Sequence, residues 1–83
     1  MPLAFSLKAT QIKNAHELGA LIRAFRKSQH LTLETVSGMS NVGIRFLSEL
    51  ERGKETAELG KALAILSQLG LNIIIVPRGN GDM

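Results

Sequence analysis

Hydrophobic and polar positions along the chain first indicate an amphipathic helix. Asn14 can cap its start, because Glu17 follows three residues later as in a capping box. The apolar residues after this cap recur at helical spacing and share one face: Leu18, Leu21, Ile22 and Phe25. We expect this first helix to end near Gln29 or His30.

A second, shorter helix is predicted to follow. Thr32 can cap it, and it is expected to stop around Met39. Three residues would bring it against the first helix: Leu33, Val36 and Ser37. Since Asn tolerates the left-handed backbone that a sharp reversal requires, a tight turn is predicted at Ser40 and Asn41.

The third helix is predicted from about Gly43 to Arg52, with Gly53 as its C-terminal cap. Its apolar residues are Leu47 and Leu50, expected to be buried, and Phe46, expected near the edge. Two helices joined by a tight turn, the second exposing polar residues, form the unit that places a recognition helix in the major groove of DNA. The pattern therefore predicts a helix-turn-helix from about Leu31 to Gly53.

A fourth helix and a strand complete the pattern. Thr56 is expected to cap the helix and Gly70 to end it. Its predicted apolar stripe is Leu59, Leu63, Leu66 and Leu69, with Ala62 and Ile65 beside it. A β-branched run then predicts a strand over residues 71–77, with the apolar residues Leu71, Ile73, Ile74, Ile75 and Val76. Because one exposed apolar strand is an aggregation hazard, we expect it to pair with the same strand of a second subunit.

These elements divide the chain into one domain and its flanks. Residues 14–70 are the predicted helix-turn-helix DNA-binding domain, residues 71–77 the dimerisation strand and residues 78–83 a flexible tail. Residues 1–13 alternate weakly between apolar and polar positions, which leaves open a strand or a loose N-terminal arm. The expected fold class is all-α.

Composition narrows the possible functions. With 83 residues, 45% of them hydrophobic, the chain fits a single domain near the lower limit for an unaided core. It has no cysteine, which excludes disulfides and thiolate metal sites and favours a cytoplasmic location. No apolar run approaches the roughly 20 residues of a membrane span, and the start does not resemble a secretory leader, so we expect no membrane association. Three Phe without Trp or Tyr disfavour a stacking platform for single-stranded nucleic acid.

The balance of charges points toward DNA. Ten Lys and Arg against seven Asp and Glu give a formal charge of +3, which favours polyanions through counterion release. A DNA-bound protein of this kind would be associated with the nucleoid. The two histidines, His16 and His30, are isolated in sequence, and carboxylates are not clustered, so we expect no enzyme, no metal and no cofactor.

Two segments resemble the phage-repressor-like (Cro and XRE) helix-turn-helix proteins. They are LTLE at residues 31–34 and FLSELERGK at residues 46–54, whose last eight residues are the most distinctive. Further segments are similar to HipB-type antitoxins: ELG at 17–19, IR at 22–23, VGIRFL at 42–47, TAELGK at 56–61 and the terminal apolar run. The resemblance covers roughly residues 14–77.

This resemblance implies a lambda-repressor-like domain of four to five helices that dimerises partly through paired C-terminal strands. It also implies a repressor that binds double-stranded operator DNA upstream of its own gene and partners a HipA-like kinase toxin. In this family the positions matching Arg26 and Glu51 form a buried ion pair between the first helix and the end of the third. Leu33 stands where many relatives have a phosphate-binding Gln, so that contact is not transferred, and Asn41 replaces the usual turn Gly.

The DNA contacts are expected from the turn and the third helix. Arg45 is the expected base-contacting residue, because Arg can donate two hydrogen bonds to guanine; a plain phosphate contact is the alternative. Ile44 could touch only a thymine methyl or a sugar, or could simply pack at the helix start. Three further DNA-binding residues are expected at the turn: Ser40, Asn41 and Gly43. Ser48 could reach a base, and Arg52 and Lys54 are expected to contact phosphates, with a solvated charge as the alternative. Glu49, Arg23 and Lys27 are expected to be solvated.

The sequence thus supports a sequence-specific repressor that is also the antitoxin of a HipBA-type system. One alternative is a stand-alone prophage-type or general regulator without a toxin partner. Another is a protein-interaction module that neutralises a kinase toxin and binds DNA only secondarily.

Overall fold

Four helices form the fold in the computed structural model, which describes residues 9–78. They are α1 (Ala15–Ser28), α2 (Leu33–Ser40), α3 (Ile44–Glu51) and α4 (Leu59–Gln68). The all-α class and the order of the helices agree with the sequence. No helix among residues 9–78 is long and apolar enough to cross a membrane. Most of the predicted N-terminal arm and of the predicted tail lies outside the described residues.

The first helix begins where its capping residues predict. The Asn14 side chain accepts a hydrogen bond of 2.8 Å from the Glu17 backbone N–H. Glu17 in turn accepts one of 2.6 Å from the Lys13 N–H, one residue before the cap, where a standard capping box would bond the N–H of the cap residue itself. The helix ends at Ser28, and His30 then takes a positive φ of 59° that turns the chain toward α2.

The turn between α2 and α3 has the predicted left-handed residue. Thr32 caps α2 by accepting a 3.0 Å hydrogen bond from the Thr35 N–H. Asn41 has φ 56° and ψ 43°, and Val42 N–H donates to the Ser37 carbonyl at 3.1 Å. The Ser37 hydroxyl also donates to the Val42 carbonyl, so a small buried residue of α2 holds both polar groups of the chain leaving the turn. This double contact fixes where α3 starts.

The expected cap of the fourth helix was wrong. Thr56 lies in a turn, in which the Ala57 N–H donates to the Lys54 carbonyl at 3.4 Å, and α4 begins only at Leu59, after the extended residue Glu58. Because this turn uses the residues after Lys54, the N-cap is Glu58 and the chain becomes helical two residues later than a cap at Thr56 predicts. The end of α4 is as predicted, with Gly70 at φ 81°.

The apolar stripe of α4 is also rotated from the predicted one. The buried residues are Ala62, Ile65, Leu66 and Leu69, which form a continuous helical face. Leu59 and Leu63 remain 69% and 43% exposed. Leu63 lies about 100° around the helix from Ala62, and Leu59 occupies the first helical position, so neither belongs to the face that packs on α2.

The core lies where α1 packs on α3 and where α2 packs on both α3 and α4. Its fully buried side chains are Ile22, Val36, Leu47 and Ile65. Gly19 permits the close approach of α1 to α3, since a Cβ at this position would lie 2.2 Å from the Leu50 carbonyl oxygen. The backbone of α3 is therefore positioned directly against the backbone of α1.

The chain beyond α4 leaves its apolar side chains in solvent. Leu71 N–H donates to the Leu66 carbonyl at 2.9 Å, and Leu71 packs partly on the core. The next apolar side chains are exposed: Ile73 by 53%, Ile74 by 73%, Ile75 by 91% and Val76 by 71%. The predicted strand is not formed within the described part of this single chain, where no second strand lies beside it. Pairing across a dimer remains a prediction.

Candidate nucleic-acid interface

The helix α3 has one face in the core and one face in solvent. Leu47, Leu50 and Glu51 are buried. On the opposite side, Ile44 is 44% exposed and the Arg45 side chain is 91% exposed. No part of the described chain covers this outward face, which leaves the first turn of α3 accessible to a large ligand.

A buried ion pair holds the inner face of α3 against α1. Arg26 donates from Nε to Glu51 Oε2 at 2.7 Å and from Nη2 to Glu51 Oε1 at 3.0 Å, and both side chains are less than a tenth exposed. The third nitrogen, Nη1, donates to the Leu31 carbonyl at 2.8 Å. The hydrogen bonds to Glu51 raise the pKa of Arg26, against the lowering effect of burial. This is the pair that the family resemblance implied.

Glu49 lies between two cations, although the sequence suggested only a solvated residue. Its carboxylate accepts from Lys54 Nζ at 3.0 Å and from Arg45 Nε at 3.3 Å. The hydrogen bond from Lys54, and next the one from Arg45, lower the pKa of Glu49 below its usual value. The carboxylate is thus ionised at neutral pH, and it orients both cations along the outward side of α3.

Ser48 and Arg52 lie one turn apart at the other end of this face. Arg52 donates from Nη1 to Ser48 Oγ at 2.6 Å. Arg52 is exposed and forms no ion pair with an acidic side chain among residues 9–78. Its charge is therefore not neutralised within the described chain, and its guanidinium can donate to an anion.

The turn residues differ in their access to solvent. Asn41 and Gly43 are exposed, and a Cβ built at Gly43 would meet no atom within 4 Å. Ser40 is only 8% exposed, and its hydroxyl is buried without a hydrogen-bond partner among the described residues. The structure therefore brings Asn41 and Gly43 to the outward side but not the Ser40 hydroxyl, which packing of α2 turns inward.

The sequence did not predict a groove of about 580 Å³ that adjoins the outward face of α3. The groove lies between α1, the start of α2 and the second half of α3, and the Arg26–Glu51 pair forms part of its wall. Its other lining residues are His16, Ala20, Arg23, Leu33, Ser48 and Arg52. Residues 9–78 contain no cluster of His, Asp or Glu that could hold a metal ion, in this groove or elsewhere.

Comparison with known proteins finds one matching family and relatives that are named as transcriptional regulators. A helix-turn-helix family model matches residues 22–75. An uncharacterized HTH-type transcriptional regulator of Sinorhizobium fredii, y4mF, is 44% identical over 71 residues, which is 86% of this chain and 93% of that protein. The transcriptional regulator ClgR of Mycobacterium tuberculosis is 36% identical over 64 residues, covering 75% of this chain but only 57% of ClgR.

A solved structure shares the fold. The protein chain of a HipB-O2 20mer complex matches with a TM-score of 0.79, covering 87% of this chain and all of that one, at 15% sequence identity. At this identity the similarity concerns the fold, and it agrees with the lambda-repressor-like architecture expected from the sequence.

Proposed function

The chain belongs to the helix-turn-helix family, and on that premise we propose that it is a sequence-specific DNA-binding transcriptional repressor. The observation that supports this most directly is the uncovered outward face of α3, where the Arg45 side chain is 91% exposed. A helix presented in this way fits the major groove of B-DNA, which is about 12 Å wide.

In this proposal a homodimer inserts residues 43–49 of each subunit into successive major grooves. The half-sites would then lie about one helical turn apart on a two-fold operator. Arg45 would donate two hydrogen bonds to a guanine edge, and Ile44 would touch a thymine methyl. Gly43 has open space around it, which allows the start of α3 to approach the DNA backbone closely.

Other residues would set position on the duplex without selecting its sequence. Asn41 in the turn, Arg52 directly after α3 and Lys54 two residues further on would contact phosphates, whereas Ser48 on α3 could reach a base edge. The buried Ser40 is left out of this set. Because Arg52 and Lys54 would displace counterions, binding should weaken steeply with added salt.

Residues 71–77 would supply the dimer contact next to the domain formed by residues 14–70. Four consecutive apolar side chains there are more than half exposed in the single chain. Pairing with the same segment of a second subunit would bury them and satisfy backbone donors and acceptors together.

The finer proposal is that this repressor is the antitoxin of a HipBA-type system. It would autoregulate its operon and bind a HipA-like kinase toxin. The sequence resemblance to HipB-type antitoxins and the fold shared with HipB support this assignment. A stand-alone regulator is the second candidate, favoured by the two relatives that are named as transcriptional regulators. Either function would place the protein on the nucleoid in the cytoplasm.

Two experiments test the proposal. Selection of bound duplexes from a randomised pool should enrich a two-fold sequence, and gel shifts should find that sequence near the encoding gene. Failure to enrich any sequence would argue against a specific repressor.

Purification of the tagged chain from its native cell should then separate the two candidates, since an antitoxin would retain a kinase and a stand-alone regulator would retain only DNA.

A further inference from the structure

The groove beside α3 is continuous with the proposed DNA-binding face. Ser48 and Arg52 belong both to the outward side of α3 and to the wall of the groove. From there the groove extends to α1, where His16, Ala20 and Arg23 line it at positions separated by about one helical turn. The groove therefore opens beside the surface that a duplex would cover under the proposed function.

The groove carries a net positive charge, which favours the binding of an anion. Of its three arginines, Arg26 is neutralised by Glu51. Arg23 and Arg52 form no ion pair with an acidic side chain in the described range, so the groove keeps two uncompensated arginine charges. Leu33 and Ala20 add apolar surface that offers no hydrogen bond to an anion.

We infer that this groove receives the DNA backbone flanking the major groove, with Arg23 of α1 contacting a phosphate. The inference rests on the proposed DNA-binding function and adds a contact from outside the helix-turn-helix. Phosphates border the major groove, and guanidinium groups bind them through charge-assisted hydrogen bonds. Leu33 at the start of α2 has no side-chain donor that could bind the same phosphates. We therefore assign this phosphate contact to Arg23 of α1.

The test compares two single substitutions, each of which removes one positive charge from α1. Arg23→Ala removes a charge that lines the groove, and Lys27→Ala removes an exposed charge of the same helix that does not line it. Fluorescence anisotropy of the full chain on a labelled random-sequence duplex, at a series of salt concentrations, gives the slope of log K against log salt. Both residues are exposed, and thermal unfolding checks that both variants stay folded.

We expect Arg23→Ala to reduce the magnitude of the salt slope by about one, as for the loss of one phosphate contact, and Lys27→Ala to leave it close to that of the unmodified chain. Affinity for all duplex sequences should fall by a similar factor in Arg23→Ala. An unchanged slope, or equal changes in the two variants, would overturn the Arg23 contact while leaving the proposed function intact. If the unmodified chain bound no duplex at all, the proposed function would fail, and this inference with it.

Discussion

Arg26 and Glu51 are joined by two parallel hydrogen bonds of 2.7 and 3.0 Å that connect α1 to the last residue of α3. A third bond from Arg26 reaches the Leu31 carbonyl at the entry to α2. One buried guanidinium thus fixes three segments at once, and through them the angle at which α3 presents its outward face.

Replacing Glu51 with Gln should therefore be costly. It would leave Arg26 buried without a countercharge, for which a loss of about 3 to 5 kcal/mol in the free energy of unfolding is typical. Urea unfolding followed by circular dichroism measures this loss. Glu55→Gln is the matched control, because Glu55 is exposed, and it should change stability by no more than about 0.5 kcal/mol. A loss below about 1 kcal/mol for Glu51→Gln would contradict the structural role.

Gly19→Ala should also destabilise the fold. Alanine normally stabilises a helix interior relative to glycine by up to about 1 kcal/mol. Here its Cβ would lie 2.2 Å from the Leu50 carbonyl oxygen and 2.7 Å from that of Glu51, so α1 and α3 must separate. We expect a net loss of about 1 to 3 kcal/mol in thermal or urea unfolding. Gly60→Ala, within α4 and with no atom near its Cβ, should be neutral or stabilising.

Arg45 and Lys54 should differ in what their removal does to DNA binding. Arg45→Ala should lose preference at one base pair of the selected site, at a cost of about 1 to 3 kcal/mol in discrimination. Lys54→Ala should weaken binding to all sequences by a similar factor and reduce the salt slope by about one. Parallel selections from a randomised duplex pool measure the change in sequence preference, and fluorescence anisotropy at several salt concentrations measures the change in affinity and in salt slope. Identical sequence preferences for Arg45→Ala and the unmodified chain would rule out the base contact.

Glu49 should titrate below the usual range of a glutamate. Its hydrogen bonds from Lys54 and Arg45 are stronger when the carboxyl is ionised, so its folded-state pKa is lowered. Their contribution to stability is then complete above the unfolded-state pKa and is lost as the pH falls through the folded-state value. Carbon-detected NMR of the Glu49 carboxyl measures the midpoint. In Lys54→Ala the midpoint should move up toward the ordinary value, and an unmoved midpoint would show that Lys54 does not cause the shift.

Ile74→Lys should prevent dimer formation. Ile74 is 73% exposed in the single chain, so the substitution leaves the helical core untouched and places a charge in the proposed strand pair. Light scattering should then report a monomer where the unmodified chain gives a dimer. Gln68→Lys adds the same charge at an exposed position of α4 and should remain dimeric. A dimeric Ile74→Lys variant would exclude strand pairing as the main contact.

The features that the sequence predicted well depend on near neighbours in the chain. Asn14 and Thr32 bond to backbone groups three residues away, and Asn41 needs only its own left-handed conformation. Such local chemistry can be inferred from residue types alone. Thr56 shows the limit of this reasoning, because a competing turn from Lys54 to Ala57 uses the same residues and delays the start of α4.

The features that were missed depend on residues distant in sequence or on side-chain geometry. The need for Gly19 arises from Leu50, which is 31 positions further along the chain. The groove requires α1, α2 and α3 to be in place before Arg23 and Arg52 line one space. The ion pair between Arg45 and Glu49 could have been predicted, since Arg45 precedes Glu49 by four residues and such pairs interact on a helix surface.

The inner and outer faces of α3 are built from different residues. Leu47, Leu50 and Glu51 fix the helix to the rest of the molecule, whereas Ile44, Arg45 and Ser48 face outward and contribute none of the fully buried side chains. Under the proposed function, a few exchanges on the outer side can redirect such a protein to a different promoter while its fold persists. A change of the regulated promoter would then require few compensating substitutions elsewhere in the protein.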